Sequence, residues 1–293
     1  MQLRNYKYYI HYGMVKPILY KRKAVNCLKY DRMLDKKKAL ITGAGQLGEA
    51  CSLLFAEHGA AVAIVDIDKS KGKELSGRLQ EINPDCQFYH ADLRLEKDIE
   101  IFCGKYLNDY GAPDIWCNAA GVFYPAFIDE ICVNDLCEMV AVNLTAPYLI
   151  MQKIAPAMIK NGGGSIIQIC SEFALTAHHG VSGFAASKGG QHAMTNAFAM
   201  DFAPYGIRAN CILPGQNFTS MGDRTIELIG KEAAEEFFTK SQYYPRRGQP
   251  DDVAELALFL ASDMSKHITG EAILINGGQH VIPHKNIFAG VIG

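Results

Sequence analysis

The sequence predicts an α/β fold built on a doubly wound sheet of seven parallel strands flanked by helices. Three observations predict it. From Lys36 onward, short apolar runs alternate with amphipathic stretches, as they do where repeated βα units bury each strand on both faces. The first run, Ala39–Thr42, leads without a break into Gly43-Ala44-Gly45-Gln46-Leu47-Gly48 and then into a helical pattern. The second run ends on a carboxylate, Asp66, 18 residues beyond Gly48.

Taken in order, the apolar runs place strands at Ala39–Thr42, Ala61–Asp66, Gln87–Ala91, Ile115–Asn118, Ser165–Cys170, Arg208–Leu213 and Ala272–Ile275. Each is four to six residues long, the length of a buried strand and too short for a helix. Between them, apolar positions at helical spacing place helices at about Leu47–His58, Lys69–Ile82, Glu96–Tyr110, Asn134–Asn161, Phe184–Tyr205 and Asp251–Ser262. Asp251, following Pro250, suits the cap or first turn of the last of these. Residues 216–248 break the rhythm with charged helical pieces and the breakers Pro245 and Gly248. An insertion at the carboxyl end of a parallel strand is where a ligand lid commonly forms, and this segment is expected to be one. No internal repeat or low-complexity linker divides residues 34–293, which read as one domain.

The 293 residues carry 29 Lys and Arg against 31 Asp and Glu, so there is no basic surplus to attract a polyanion and nucleic acid is not an expected ligand. No window approaches the roughly 18 to 20 uninterrupted apolar residues of a bilayer-spanning helix, and membrane insertion is not expected. Nine cysteines, scattered from Cys27 to Cys211 without a CxxC pair or a Cys/His cluster of zinc spacing, suit reduced thiols in a cytoplasm and no metal site. Residues 1–33 are a different object. Up to Tyr30 they hold seven Lys or Arg, six Tyr and no acid, leaving 22 basic against 31 acidic groups elsewhere. Three readings of this extension stand open: an arm packing on the acidic body or a neighbouring subunit, a translated leader ahead of a natural start at Met33, and a contact for nucleic acid or anionic lipid.

The glycine turn carries chemistry because of its setting. Glycines at 43, 45 and 48 permit a tight turn, close backbone approach to a diphosphate and close helix packing, while the helix N-terminus presents N–H groups and partial positive charge. This is a Rossmann-type dinucleotide fingerprint. Asp66, with Ile67 after it, can accept hydrogen bonds from both ribose hydroxyls and repel a 2′-phosphate, which favours NAD over NADP.

Further motifs follow in a fixed order: Asp92-Leu93 after the third strand, Asn118-Ala119-Ala120-Gly121 after the fourth, Asn143 in Val142-Asn143-Leu144-Thr145, and Ser171 after the fifth. Ala185-Ala186-Ser187-Lys188, Pro214-Gly215 with Thr219, and Asn276-Gly277-Gly278 complete the series. Over about residues 34–280 the chain resembles the short-chain dehydrogenase/reductase family. The resemblance implies a seven-stranded Rossmann sheet, adenine contacts at Asp92 and Leu93, support of cofactor and strand by Asn118 to Gly121, and nicotinamide contacts from Pro214, Gly215 and Thr219. It also implies a homodimer or homotetramer built on the helices containing Asn143 and Lys188, and a small alcohol or carbonyl compound as substrate. Three departures stand out. Thr42–Gly48 is one residue shorter than the family's TGxxxGxG and lacks its middle glycine, Asn118-Ala119 replaces Asn-Asn, and Phe184 stands where YxxxK has its tyrosine.

In that family the tyrosine exchanges a proton with the substrate oxygen while hydride moves between substrate and nicotinamide. Positions 184 and 188 are i and i+4 on one helix face, so the Lys ammonium can lower a phenol's pKa toward the working pH. The resemblance also has Lys188 holding the nicotinamide ribose, Ser171 orienting the substrate oxygen and Asn143 supporting a water chain behind Lys188. Phe184 fills the ring volume without a proton to exchange. Losing general acid/base catalysis costs about 10²–10⁴-fold, so four readings compete: a Tyr-to-Phe replacement that keeps shape and removes chemistry, a working reductase with another donor (Ser171, water, His178 or His179), repurposed chemistry on a C=C bond or a non-redox step, and a nucleotide-binding pseudoenzyme. Glu172 is open between a substrate contact and a solvent-facing loop carboxylate.

Overall fold

Every predicted strand forms, within a residue or two of its expected ends: β1 Lys38–Thr42, β2 Ala61–Asp66, β3 Gln87–His90, β4 Ile115–Asn118, β5 Gly164–Ile169, β6 Ile207–Pro214 and β7 Ala272–Ile275. The computed structural model describes residues 32–281 apart from 177, 218, 220–225, 227–229, 233, 235–241 and 245. The extension expected at 1–33 and the lid expected at 216–248 lie largely outside the described residues.

The strands make one parallel sheet in the order β3-β2-β1-β4-β5-β6-β7. The order reverses between β1 and β4, whose pairing ends at Thr42 opposite Asn118. A crevice opens at such a reversal because neighbouring connections leave toward opposite faces. Strand alternation divides the core accordingly. Leu40, Trp116 and Ile166 point to one face and meet α3 (Glu96–Tyr110), α5 (Ala146–Lys160) and α6 (Ser182–Phe202) through Phe102, Ile154 and Phe198. Ile41, Ile64 and Ile167 point to the other and meet α1 (Gln46–Glu57), α2 (Lys69–Ile82) and α7 (Pro250–Ala261) through Phe55, Leu79 and Ala257.

Helix ends follow local chemistry. Asp68 caps α2, its carboxylate accepting from Ser70 and Lys71 N–H at 2.9 and 3.1 Å. At α7, Gln249 is the cap and forms a reciprocal pair with Asp252, so Asp251 is a first-turn acid and not the cap. The largest departure from expectation is the single helix at 134–161. It forms as α4 (Val133–Val140), one wide π turn (Ala141–Thr145) and α5. Pro147 has no N–H to give the carbonyl of Asn143 four residues earlier, and its ring crowds that carbonyl, which favours widening the turn just ahead of it. The Ala146 N–H bonds back to Ala141 across five residues.

Candidate active site

The glycine turn closes the crevice at the β1 end. Gly43 has φ +94°, and a Cβ there would lie 2.7 Å from the Ala120 nitrogen, so the turn is wedged against the strand-end loop Ala119–Ala120. A Cβ on Gly48 would lie 1.9 Å from the Gly43 carbonyl oxygen, which fixes how closely α1 approaches its own turn. A Cβ on Gly45 would meet nothing within 4 Å. Gly45 is also the cap residue of α1 and supplies no side chain to it, and Gln46 beside it is exposed. The turn therefore leaves open space over a helix N-terminus, the arrangement a diphosphate requires. Asp66 ties β2 to this turn, accepting from Ala44 N–H at 2.6 Å and Asp68 N–H at 2.7 Å, with Ile67 half exposed next to it. Farther out, Arg94 grips the Asp92 carboxylate, holds it below the usual carboxylate range, and reaches Glu138 at 3.2 Å; Leu93 is buried.

A chain of buried polar groups runs beneath the crevice. The Thr42 hydroxyl donates to Asn118 Oδ1 (2.6 Å), Asn118 Nδ2 donates to Gln168 Oε1 (2.7 Å), and Gln191 Nε2 donates to the same oxygen (2.9 Å). The Lys188 ammonium then donates to Gln191 Oε1 (2.9 Å) and to the Ile169 carbonyl (3.0 Å). Gln168 and Gln191 escaped sequence reasoning. The legible signal was a Gln inside the apolar strand Gly164–Ile169 and a second one three residues beyond Lys188, on its helix face. Gln168→Leu strands two buried donors, so a loss of about 2 kcal/mol in urea unfolding is expected; an unchanged midpoint would show that the chain is not held by these bonds.

Asn143 sits in the π turn, fully buried. Its side chain closes a two-bond ring with the Val122 backbone (2.9 and 3.0 Å) and donates to Ser187 Oγ at 3.0 Å, while Ser187 donates to the Phe184 carbonyl at 2.8 Å. Lys188 is buried too, and desolvation pushes its ammonium pKa down. Its Nζ lies 5.8 Å from the centre of the Phe184 ring, which meets Phe123 edge-on at 4.9 Å. Ser171 is buried at the start of a short 3₁₀ turn, its Oγ accepting from Phe173 N–H at 3.2 Å.

These groups converge on one cleft of about 530 Å³. Of the predicted residues, Leu47, Ala119, Ala120, Gly121, Ser171, Phe184, Lys188, Pro214, Gly215 and Thr219 line it. Gly43, Gly45, Gln46, Gly48, Asp66, Ile67, Asp92 and Leu93 belong to the turn and strand ends at the β1–β3 side, and Asn118 and Asn143 stand behind the cleft wall. Apolar side chains, among them Phe123, Pro125, Phe127, Phe173 and Val181, make up most of the remaining lining. His178 and His179 are exposed at its edge.

For Glu172, one of the two open readings drops out. It is not a solvent-facing loop carboxylate: it is 2% exposed, lines the cleft, and its Oε2 accepts from Asn276 Nδ2 at 2.9 Å. Of Tyr243, Tyr244, Arg246 and Arg247, none lines the cleft, the first three are exposed and only Arg247 is buried. Arg246 stacks on Tyr244 and makes a two-bond pair with Asp252 (2.5 and 2.6 Å), and buried Arg247 donates to the Asn217 carbonyl at 2.7 Å. The eight described cysteines are free thiols, and no group of three or more potential metal ligands forms among the described residues. No described helix is long and apolar enough to cross a membrane.

A cleft beside a glycine turn at the carboxyl edge of a parallel sheet, with Ser171 and Lys188 in its lining, defines a class, and comparison with known proteins names it. A family model described as Enoyl-(Acyl carrier protein) reductase matches residues 43–280. An uncharacterized oxidoreductase of Bacillus subtilis is 35% identical over 84% of this chain and 91% of its own length. The 3-oxoacyl-[acyl-carrier-protein] reductase of Thermotoga maritima is 34% identical over 84% of this chain and 98% of its own. The crystal structure of a gluconate 5-dehydrogenase from Burkholderia cenocepacia in complex with NADP and tartrate superposes with a TM-score of 0.81 at 30% identity, covering 87% of this chain and all of the other. The chain belongs to the short-chain dehydrogenase/reductase family of oxidoreductases, whose members use nicotinamide cofactors.

Proposed function

We propose that the protein is an NAD(H)-dependent oxidoreductase that interconverts an alcohol and a carbonyl group on a small, largely apolar molecule. The observation carrying this reading is that one cleft holds Ser171, Phe184 and Lys188 together with Gly121, Pro214 and Thr219, at the carboxyl ends of the strands flanking the point where their order reverses. The residues present fit a dinucleotide. Open space over Gly45 and the α1 N-terminus suits a diphosphate, and Asp66 suits an unmodified ribose. When bound, that cofactor supplies or accepts the hydride. The chain's part is to hold the reacting groups: Lys188 presents its ammonium beside Gly121, Ser171 offers a hydroxyl donor to the substrate oxygen, and Asn143 fixes the Val122 backbone opposite. The aromatic walls exclude water, which strengthens each of these polar contacts.

The preference for NAD rests on Asp66, whose charge opposes a 2′-phosphate. Asp66→Ala is expected to shrink the ratio of kcat/KM for NADH over NADPH by about tenfold, equivalent to about 1.4 kcal/mol. An unaltered ratio would remove Asp66 from cofactor selection. The reading as a whole is tested by NADH titration followed by cofactor fluorescence: saturation is expected, and no binding at millimolar NADH or NADPH would overturn it. Assembly as a homodimer or homotetramer in the cytoplasm is part of the same proposal. Tyr148 on α5 and Met200 on α6, 50% and 79% exposed, offer apolar surface on the helices where the resemblance places the interface.

A further inference from the structure

The reading above leaves a proton without a carrier, because Phe184 has none to give. Among the described residues, the titratable side chains lining the cleft are Glu130, Cys170, Glu172, His178, His179 and Lys188. Glu130 and the two histidines stand at the exposed rim. The Cys170 thiol is directed to the Lys188 carbonyl at 3.2 Å, and the Lys188 ammonium is engaged by Ile169 and Gln191.

Glu172 differs from all of these. It follows Ser171 directly and is buried, with Oε2 held by Asn276 and Oε1 sealed from solvent without a hydrogen-bond partner among the described residues. A Cβ built on Gly215 would come within 3.4 Å of Oε2, so the carboxyl lies against the strand end that the resemblance gives to the nicotinamide. The groups packed on it from the β6 and β7 ends, Gly215 and Asn276, are uncharged; His280 bonds the far side of Asn276 at 3.0 Å, and Lys188 and Cys170 line the same cleft from α6 and the end of β5. A carboxylate oxygen taken out of water with no donor is costly, so the site favours the acid form. Burial raises the Glu172 pKa to about 7, with the Asn276 amide pulling the other way.

We propose that Glu172 is the proton carrier of this site, its carboxyl giving a proton to the carbonyl oxygen of the substrate in reduction and recovering it from the alcohol in oxidation. In reduction the Glu172 O–H bond breaks, the carbonyl π pair moves onto oxygen and takes that proton, and the carbonyl carbon receives hydride from the reduced nicotinamide, which is oxidised. The proposal rests on the oxidoreductase reading given above.

The test uses the full chain with NADH and two carbonyl probes, diacetyl and para-nitrobenzaldehyde. Wild type is expected to reduce a probe with a rate that falls as pH rises through about 7, since the carrier must be protonated. Glu172→Gln is expected to lower that rate about 10²-fold or more and to abolish the pH-dependent fall. Adding Phe184→Tyr to Glu172→Gln is expected to restore at least about tenfold, a phenol beside Lys188 replacing the lost acid. A readout independent of turnover is the isotope-edited infrared carboxyl band of the unliganded protein, expected to titrate near pH 7 and to be missing in Glu172→Gln. The sign of the stability change is fixed as well. The folded chain holds this proton more tightly than the unfolded chain, so wild type loses thermal stability relative to Glu172→Gln as pH rises from about 5 to 8. Retention of rate and pH dependence in Glu172→Gln overturns the proposal. So does an inactive wild type beside an active Phe184→Tyr, which leaves the oxidoreductase reading standing. Failure of every form to bind NADH overturns both.

Discussion

Lys188→Met is expected to lower kcat/KM by about 10²–10³-fold, or about 3–4 kcal/mol of transition-state stabilisation, while leaving the fold in place. The ammonium has three donors, of which two go to Ile169 and Gln191 among the described residues; in the proposed function the third serves a bound ligand at Gly121, where a Cβ would stand 3.5 Å from Nζ. Methionine keeps the stem volume and removes a buried charge to which no described carboxylate is bonded, so relief of the buried cation offsets the two acceptors left at Ile169 and Gln191, which cost about 2 kcal/mol. The measurement that separates the roles is a comparison of NADH affinity and turnover with the urea midpoint. Turnover within about fivefold of wild type would show that the buried cation serves the amide chain beneath the cleft and not the ligand.

Gly48→Ala is expected to destabilise the protein by about 2–4 kcal/mol and to weaken NADH binding by more than about 10²-fold. The new methyl would lie 1.9 Å from the Gly43 oxygen and 2.9 Å from its carbonyl carbon, both backbone atoms that cannot rotate aside. Gly43 is itself pressed against Ala119 and Ala120, and α1 is anchored in the core by Cys51 and Phe55. The displacement therefore has nowhere to go except into the turn or the helix axis. Gly45→Ala is the control, because its methyl meets no atom of the described residues within 4 Å. It is expected to keep the urea midpoint within about 0.5 kcal/mol and to weaken dinucleotide binding alone. Equal loss of stability in both variants would mean that the turn has been misassigned.

Much of this was legible in the residue order. Strands showed as short apolar runs because a parallel sheet is covered on both faces and tolerates few polar positions, and the glycine turn showed because its three glycines answer to backbone contacts that a Cβ would violate or a ligand would occupy. Ser171, Lys188 and Asn143 were singled out by the family resemblance, and the fold puts the first two in the lining of one cleft and the third behind its wall. Other features were not legible. The surroundings of Glu172 are set by Asn276, 104 residues away, and by Gly215, so a carboxyl that looked like a loop residue is instead desolvated. The Gln168–Gln191 bond joins β5 to α6 across 23 residues, and a pairing between two neutral amides leaves no charge pattern to read. The break in the helix at 141–145 leaves no mark of its own in the residue order because the segment holds neither Gly nor Pro; the cause sits downstream, at Pro147.

That break has a geometric consequence. A π turn is in effect one inserted residue, and each residue of an ordinary helix advances the chain by about 100°. Because the wide turn absorbs that residue within itself, deleting one residue between 141 and 145 would let α4 and α5 run on as one regular rod with their faces kept, and only the side chains of the turn would be re-aimed. Closing the turn would pull the Asn143 amide out of line with Val122 and Ser187, so this wall of the cleft depends on a turn count as much as on the identity of the side chain placed there.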